Sequence, residues 1–227
     1  MKRVTVRYQG QVVGEIGTNG RDTLFFYGGE WLQSGIELSP RLMRLGREPY
    51  PGDNPEFYRL PPLFADSLPD RYGRQVMRVW FEKHLGAGYQ PTPVEQLAYV
   101  GERGLGALTY HPSIDDFPKP LLRELDLRQQ EKLYRSHQGK PSAKFIEQMR
   151  QGVGSVGGRY PKIICAENLK TGELYEDDQR LEGTFRRWII KFFQEDTPYG
   201  CQTEWALARM ARKAGILVPE PRLFYSQ

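Results

Sequence analysis

The chain opens on an alternation of apolar and polar positions. Val4-Thr5-Val6-Arg7-Tyr8 and Val12-Val13-Gly14-Glu15-Ile16, joined through Gln9-Gly10-Gln11, read as a hairpin, because period-two alternation turns one face inward. Leu24-Phe25-Phe26-Tyr27, closed by Gly28-Gly29, is the next predicted strand. From Ile36 to Leu63 the density of Pro, Gly and Arg suits long surface connections, and ordered helices are expected only after it.

Ser67-Leu68-Pro69-Asp70 supplies a hydroxyl cap, an early Pro and an acidic third position, so a helix is predicted there with Tyr72, Val76, Val79 and Trp80 inward. Thr92-Pro93-Val94-Glu95 repeats the capping logic for a short helix through about Tyr99. Gly101, Gly104 and Gly106 break it, and Ala107-Leu108-Thr109-Tyr110 resumes as a strand. These elements form a compact α+β unit, residues 1–116. Residues 117–151 read as a helical connection, with charged helical stretches over 119–137 and 142–151 separated by Gly139-Lys140-Pro141.

A second unit, residues 152–227, begins with Gly152-Val153-Gly154-Ser155-Val156-Gly157-Gly158. The strand Tyr160 to Ala166 follows, then a turn at Lys170-Thr171-Gly172 and a strong strand, Arg187 to Phe193. A helix over 199–214 is predicted to hold Leu207, Ala208, Ala211 and Ala214 on one face; Gly215 stops it, and Pro219 and Pro221 keep it from resuming.

Composition adds bounds. A chain of 227 residues, 39% hydrophobic, buries a real core, and a net charge of +4 favours acidic partners only weakly. Cys165 and Cys201 form neither a disulfide framework nor a metal spacing, which points to a reducing cytoplasm. No apolar run approaches the roughly 18 residues that span a bilayer.

Gly152, Gly154 and Gly157 match G-x-G-x-x-G, but a helical stretch precedes them and a strand follows, the reverse of the dinucleotide-binding order. A glycine loop leading into a strand fits two readings: a kinase-type loop whose N–H groups cover nucleotide phosphates, or a plain linker. Lys191, flanked by apolar strand residues, points into a cleft or into solvent. Glu204 on the next helix either pairs with Lys191 or is an ordinary exposed carboxylate, and Lys162 either approaches phosphates or is a surface lysine. Ser155 inside the loop could be phosphorylated, and the added charge would expel the loop from the phosphate position. His84, His111 and His137 lie far apart and read as surface or capped histidines. Arg71, Arg74, Arg78 and Lys83 at helical spacing read as a solvated face that could otherwise touch phosphate backbones.

Several separated segments then coincide with one family. Phe64 to Arg74, with its Leu68-Pro69-Asp70, resembles the LPD segment of HipA amino-terminal subdomains, and Tyr99 to Leu108 resembles their glycine-rich G-A-L signature. Gly154 to Lys162 is similar to the family's S-x-G-G-x-x-P-K loop, and Trp188-Ile189-Ile190-Lys191-Phe192 to its ATP-lysine strand. Glu204 with Ala208, Ala211, Gly215, Ile216, Val218 and Pro219 is similar to the following helix and its exit. The resemblance implies a HipA-type toxin serine/threonine kinase of a type II toxin–antitoxin module associated with persistence. It would use ATP and Mg2+, act on a protein such as an aminoacyl-tRNA synthetase, and be held by a HipB-like helix-turn-helix antitoxin on operator DNA. It implies an α+β chain in which an antiparallel-sheet-plus-helices amino-terminal subdomain precedes an incomplete kinase-like amino-terminal lobe. By carry-over, Val153, Gly154, Ser155, Val156, Gly157, Gly158, Lys162, Lys191 and Glu204 would meet the nucleotide, with Ser155 autophosphorylated; no metal ligand and no catalytic residue is assigned.

The sequence departs from the family after Lys191. It contains no asparagine there, its acids are Glu195, Asp196, Glu204 and Glu220, and none stands in an H-x-D-x-x-x-x-N pattern. These residues are therefore expected to be the front part of such a kinase, without phosphotransfer of their own and with weak ATP binding. The alternative is a non-enzymatic module that docks on a separately encoded kinase core or antitoxin.

Overall fold

The computed structural model describes residues 3–19, 22–69, 71–104, 106–114, 124–136, 162–176, 184–192 and 199–224. The first hairpin pairs β1, Arg3–Tyr8, with β2, Gln11–Thr18. Its two loop residues, Gln9 and Gly10, both have positive φ, 48° and 81°, the twist that matches a tight antiparallel turn. Between Val6 and Arg7 the register slips by one residue of β2. The slip lets Val13 and Gly14 both lie inside, where strict alternation would have turned one of them out.

Strand β3, Thr23–Tyr27, pairs with β2, and a two-residue β4, Tyr50–Pro51, pairs with β3. Strand β5, Leu108–His111, returns from far along the chain to pair with β1, so the sheet order is β4-β3-β2-β1-β5. Val4, Val6, Ile16, Phe25, Tyr27, Leu108 and Tyr110 line its buried face. Gly14 is required where it stands: a Cβ there would run into the Phe26 carbonyl and the Phe25 ring.

The predicted start of helical order was too late. Helix α1, Gly29–Ser34, follows β3 directly, buries Trp31, and ends at Gly35 with φ 69°. A glycine pair that reads as a strand stop also caps a helix when Trp31 has a core to enter. Apart from β4 and a 3-10 turn at Pro55–Phe57 the 36–63 segment is irregular up to short helix α2, Pro62–Ala65, which buries Phe64; it is not all surface connection, since Met43 and Leu60 enter the core.

Helix α3, Arg71–Leu85, and helix α4, Pro93–Val100, make two further layers. In α4, Thr92 and Glu95 form a capping box: the Glu95 N–H donates to Thr92 Oγ1 at 3.3 Å and the Thr92 N–H to Glu95 Oε2 at 2.8 Å. Val94, Leu97 and Ala98 of α4 pack on the sheet, while Tyr99 joins Met77, Trp80 and Phe81 of α3. Helix α4 is thus the middle of a sheet–α4–α3 sandwich. The buried stripe of α3 is Val76, Met77, Trp80 and Phe81; Val79 is only half-buried, because Tyr99 meets the 77/80/81 side, and the predicted contribution of Tyr72 lies outside the described side chains. Each of these large side chains contributes about 1.5–3 kcal/mol by leaving water.

Helix α5, Leu127–Ser136, lies in the predicted helical connection; the second predicted stretch, 142–151, lies outside the described residues. A second antiparallel sheet has β6, Lys162–Asn168, between β7, Leu174–Glu176, and β8, Phe185–Lys191. Gly172, with φ 76°, closes the predicted 170–172 turn. Helix α6, Gly200–Lys213, follows. Its expected inner face is corrected: Cys201, Trp205, Ala208 and Ala211 are half-buried, whereas Leu207 is 59% exposed and Ala214 is exposed. Leu207 and Ala214 share a side of the helix with Tyr199 and Met210, the side opposite Cys201 and Ala208. The described residues are an α+β chain, and none of their helices is long and apolar enough to cross a membrane.

Candidate functional site

Strands β6 and β8 pair so that Lys162 stands directly opposite Lys191. In an antiparallel pair, residues directly opposite share a face with Cβ atoms about 5 Å apart, and two like charges there are unfavourable unless something offsets them. Helix α6 supplies the offset for one: Lys191 Nζ donates a hydrogen bond to Glu204 Oε1. The Cys201 thiol lies 3.9 Å from the Lys191 carbonyl, so α6 touches both the backbone and the side chain at the end of β8. Burial raises the Cys201 thiol pKa, with Glu204 adding to the rise and Lys191 opposing it, which keeps it a protonated thiol.

Lys162 is only 5% exposed, which excludes the surface-lysine reading for it. Lys191 and Glu204 keep about half of their side chains in solvent, so their pairing is a partly wet one. The structure therefore brings together three of the residues singled out from sequence. Val153, Gly154, Ser155, Val156, Gly157 and Gly158 lie outside the described residues.

The opposite face of the same sheet carries residues that sequence reading missed. Glu167 is nearly buried and accepts two hydrogen bonds, from Trp188 Nε1 at 2.9 Å and from Arg222 at 2.8 Å. Arg186 pairs with Glu220 at 3.3 Å and lies over the Trp188 ring. Burial by itself would raise the Glu167 pKa; the Trp188 and Arg222 hydrogen bonds, and the charges of Arg222 and Arg186, outweigh it and hold the carboxyl below its ordinary range. Glu167 and Arg222 are 55 residues apart, and no local pattern pairs them. The one available signal is the alternation along β6, which puts Glu167 on the Ile163 and Cys165 face and so demands a partner for it.

The remaining candidates resolve into local structure. His84 Nδ1 lies 2.8 Å from the Trp80 carbonyl, and its ring stacks on Trp80. His111 lies between Thr109 and Glu102, and His137 is outside the described residues. Arg74 donates to the Pro69 carbonyl and covers the Tyr58 ring, and Arg78 pairs with Glu82. Among the described residues no cluster of three or more His, Cys, Asp or Glu could hold a metal ion.

Comparison with known families supplies the context. Residues 4–111 match the family model of the HipA N-terminal domain, an interval that runs from the second residue of β1 to the end of β5 and so contains the first sheet, but for Arg3, with its helices. No curated protein matches the chain. Residues 4–111, just under half of the chain, carry a HipA N-terminal domain, which supports a HipA-like protein.

Proposed function

We propose that residues 152–227 form the phosphate-gripping part of the nucleotide site of a HipA-type toxin serine/threonine kinase, belonging to a type II toxin–antitoxin system. The observation that carries this reading is the Lys191–Glu204 pair, with Lys162 directly opposite on β6. Kinases hold ATP phosphates with a strand lysine that a helix glutamate keeps in place. Glu204 gives Lys191 a fixed position, and Lys162 adds a second ammonium on the same face. This donor set fits a polyphosphate. When bound, ATP with Mg2+ supplies the transferable phosphoryl group, and Lys191 and Lys162 bind and orient it. By the family resemblance, the glycine loop with Ser155 would cover the phosphates.

No H-x-D-x-x-x-x-N pattern stands after Lys191 in this sequence, so the role proposed for these residues is gripping the nucleotide and not transferring its phosphate. The protein substrate, of which an aminoacyl-tRNA synthetase is the expected example, and a HipB-like antitoxin with its operator DNA, complete the reading.

Titration calorimetry with MgATP on the wild-type chain and on Lys191→Met tests it. The expected result is weak binding by the wild type, short of micromolar affinity, and a further loss of at least about tenfold, near 1.4 kcal/mol, in the variant. A wild type that takes up no MgATP at millimolar concentration, or equal binding by the variant, overturns it.

A second reading, a docking module for a separately encoded kinase core or antitoxin, draws support from α6. Leu207 and Met210 on the helix, and Leu217 in the segment after it, are all more than half exposed. Coexpression with a HipB-like antitoxin and with a kinase core tests this reading by stoichiometric copurification, which Leu207→Lys with Met210→Lys is expected to abolish.

A further inference from the structure

Helix α6 is fastened to the second sheet at two ends and on two faces. Near its start, Glu204 meets Lys191 on the face that also carries Lys162. Past its end, the chain turns at Gly215, with φ 81°, and stays hydrogen-bonded to the helix: the Ile216 N–H donates to the Ala211 carbonyl at 3.0 Å, and Arg212 donates to the Val218 carbonyl at 3.2 Å. The exit segment then reaches the other face, where Arg222 enters the nearly buried Glu167 carboxylate and Glu220 pairs with Arg186. Glu167 also holds the Trp188 indole of β8, so one carboxylate ties together β6, β8 and the segment after α6. The hydrogen bonds at Gly215 and Val218 make helix and exit one unit, so the two attachments constrain each other.

We propose that Glu167 and Arg222 are positioning residues for the lysine site: their bond sets where α6 stops against the sheet and thereby keeps Glu204 on Lys191. The inference rests on the nucleotide reading for its functional meaning, but the contact it predicts exists without nucleotide. The Glu204–Lys191 pair is half in water and too weak to hold a helix by itself. The Glu167–Arg222 bond is the better anchor, because leaving a buried carboxylate short of a donor is far more costly than losing an exposed pair.

The test reads Lys191 directly. In the absence of ligand, trace acetylation followed by mass spectrometry measures the Nζ reactivity of Lys191 in the wild type, Glu204→Ala, Arg222→Ala, Arg222→Lys, Glu167→Gln and the Glu204→Ala/Arg222→Ala double variant. Releasing Lys191 from Glu204 is expected to raise its labelling by about two- to fivefold, the scale of one exposed ion pair. Arg222→Ala and Glu167→Gln should reproduce that rise, Arg222→Lys should restore much of the wild-type rate, and the double variant should rise no further than Glu204→Ala. Wild-type labelling in both Arg222→Ala and Glu167→Gln overturns the proposal, and so does a double variant whose rise is the product of the two singles. If Arg222→Ala does not fold, Glu167→Gln, which keeps volume and an acceptor oxygen, decides alone. Titration of MgATP into the same wild-type sample tests the nucleotide reading separately: absence of binding overturns that reading and leaves the labelling result standing.

Discussion

Glu204 accepts a hydrogen bond from Lys191 Nζ across the junction of α6 and β8, and both side chains remain about half in solvent. Exposed pairs of this kind contribute roughly 0.2–1 kcal/mol. Lys191→Met and Glu204→Ala should therefore each shift the chemical-denaturation stability by less than about 1 kcal/mol. The same substitutions are expected to weaken MgATP binding measurably, so stability and affinity separate at these positions.

The capping box of α4 makes a second prediction. Thr92→Ala removes the acceptor for the Glu95 N–H and should cost about 1 kcal/mol in urea unfolding, whereas Thr92→Ser should be nearly neutral.

Glu95 gives that cap a pH dependence. Burial alone would raise its pKa, but the Thr92 backbone N–H, the Thr92 hydroxyl and the Tyr89 hydroxyl outweigh it and lower the carboxyl below its ordinary value of 4.5. A folded carboxyl more acidic than the unfolded one binds fewer protons, so its stabilisation is complete above pH 4.5 and is lost as pH falls through the lower folded value. Thermal melts from pH 6 downward should show this loss in the wild type and a flatter profile in Glu95→Gln.

Gly101 ends α4 with φ 55°, and a Cβ there would sit 2.7 Å from Ser113 Cβ. Gly101→Ala is expected to destabilise by about 1–3 kcal/mol, from left-handed strain and the forced shift of Ser113 together. Differential scanning calorimetry reads this as a fall in Tm. An unchanged Tm would show that the 111–114 segment yields freely.

Burial separates two apolar helix positions. Phe81 is completely buried, and Phe81→Ala should cost about 3–5 kcal/mol. Leu207 faces solvent, and Leu207→Ala should stay within about 0.5 kcal/mol of wild type.

Strands β1, β2, β3 and β5 and the cap of α4 were legible because their signals are local: alternation at Val4 to Tyr8, turn residues at Gln9 and Gly10, Thr92 three residues before Glu95. Local signals failed where a distant partner decides. Trp31 converts a glycine stop into α1 because the sheet offers it a buried place, and Leu207 faces water because Glu204 and Ala208 set which side of α6 meets β8. In the candidate site, the resemblance pointed to Lys162, Lys191 and Glu204, and strand register then placed the lysines opposite one another. Glu167 and Arg222 escaped because the alternation along β6 shows at most that Glu167 needs a partner, and nothing local says that the partner is 55 residues away.

The strand order of the first sheet has a consequence for synthesis. Strand β1 leaves the ribosome well before β5, yet it lies between β2 and β5, and β5 ends at His111. Its hairpin with β2 can form early, but its other edge stays unpaired until roughly a hundred more residues have been made, about 5–20 s at ordinary elongation rates. During that interval the nascent chain carries an open, apolar strand edge that a chaperone can cover or a neighbouring nascent chain can capture. Slowing translation before Leu108 should lengthen that exposure, while slowing it once β5 has cleared the ribosomal exit tunnel should not.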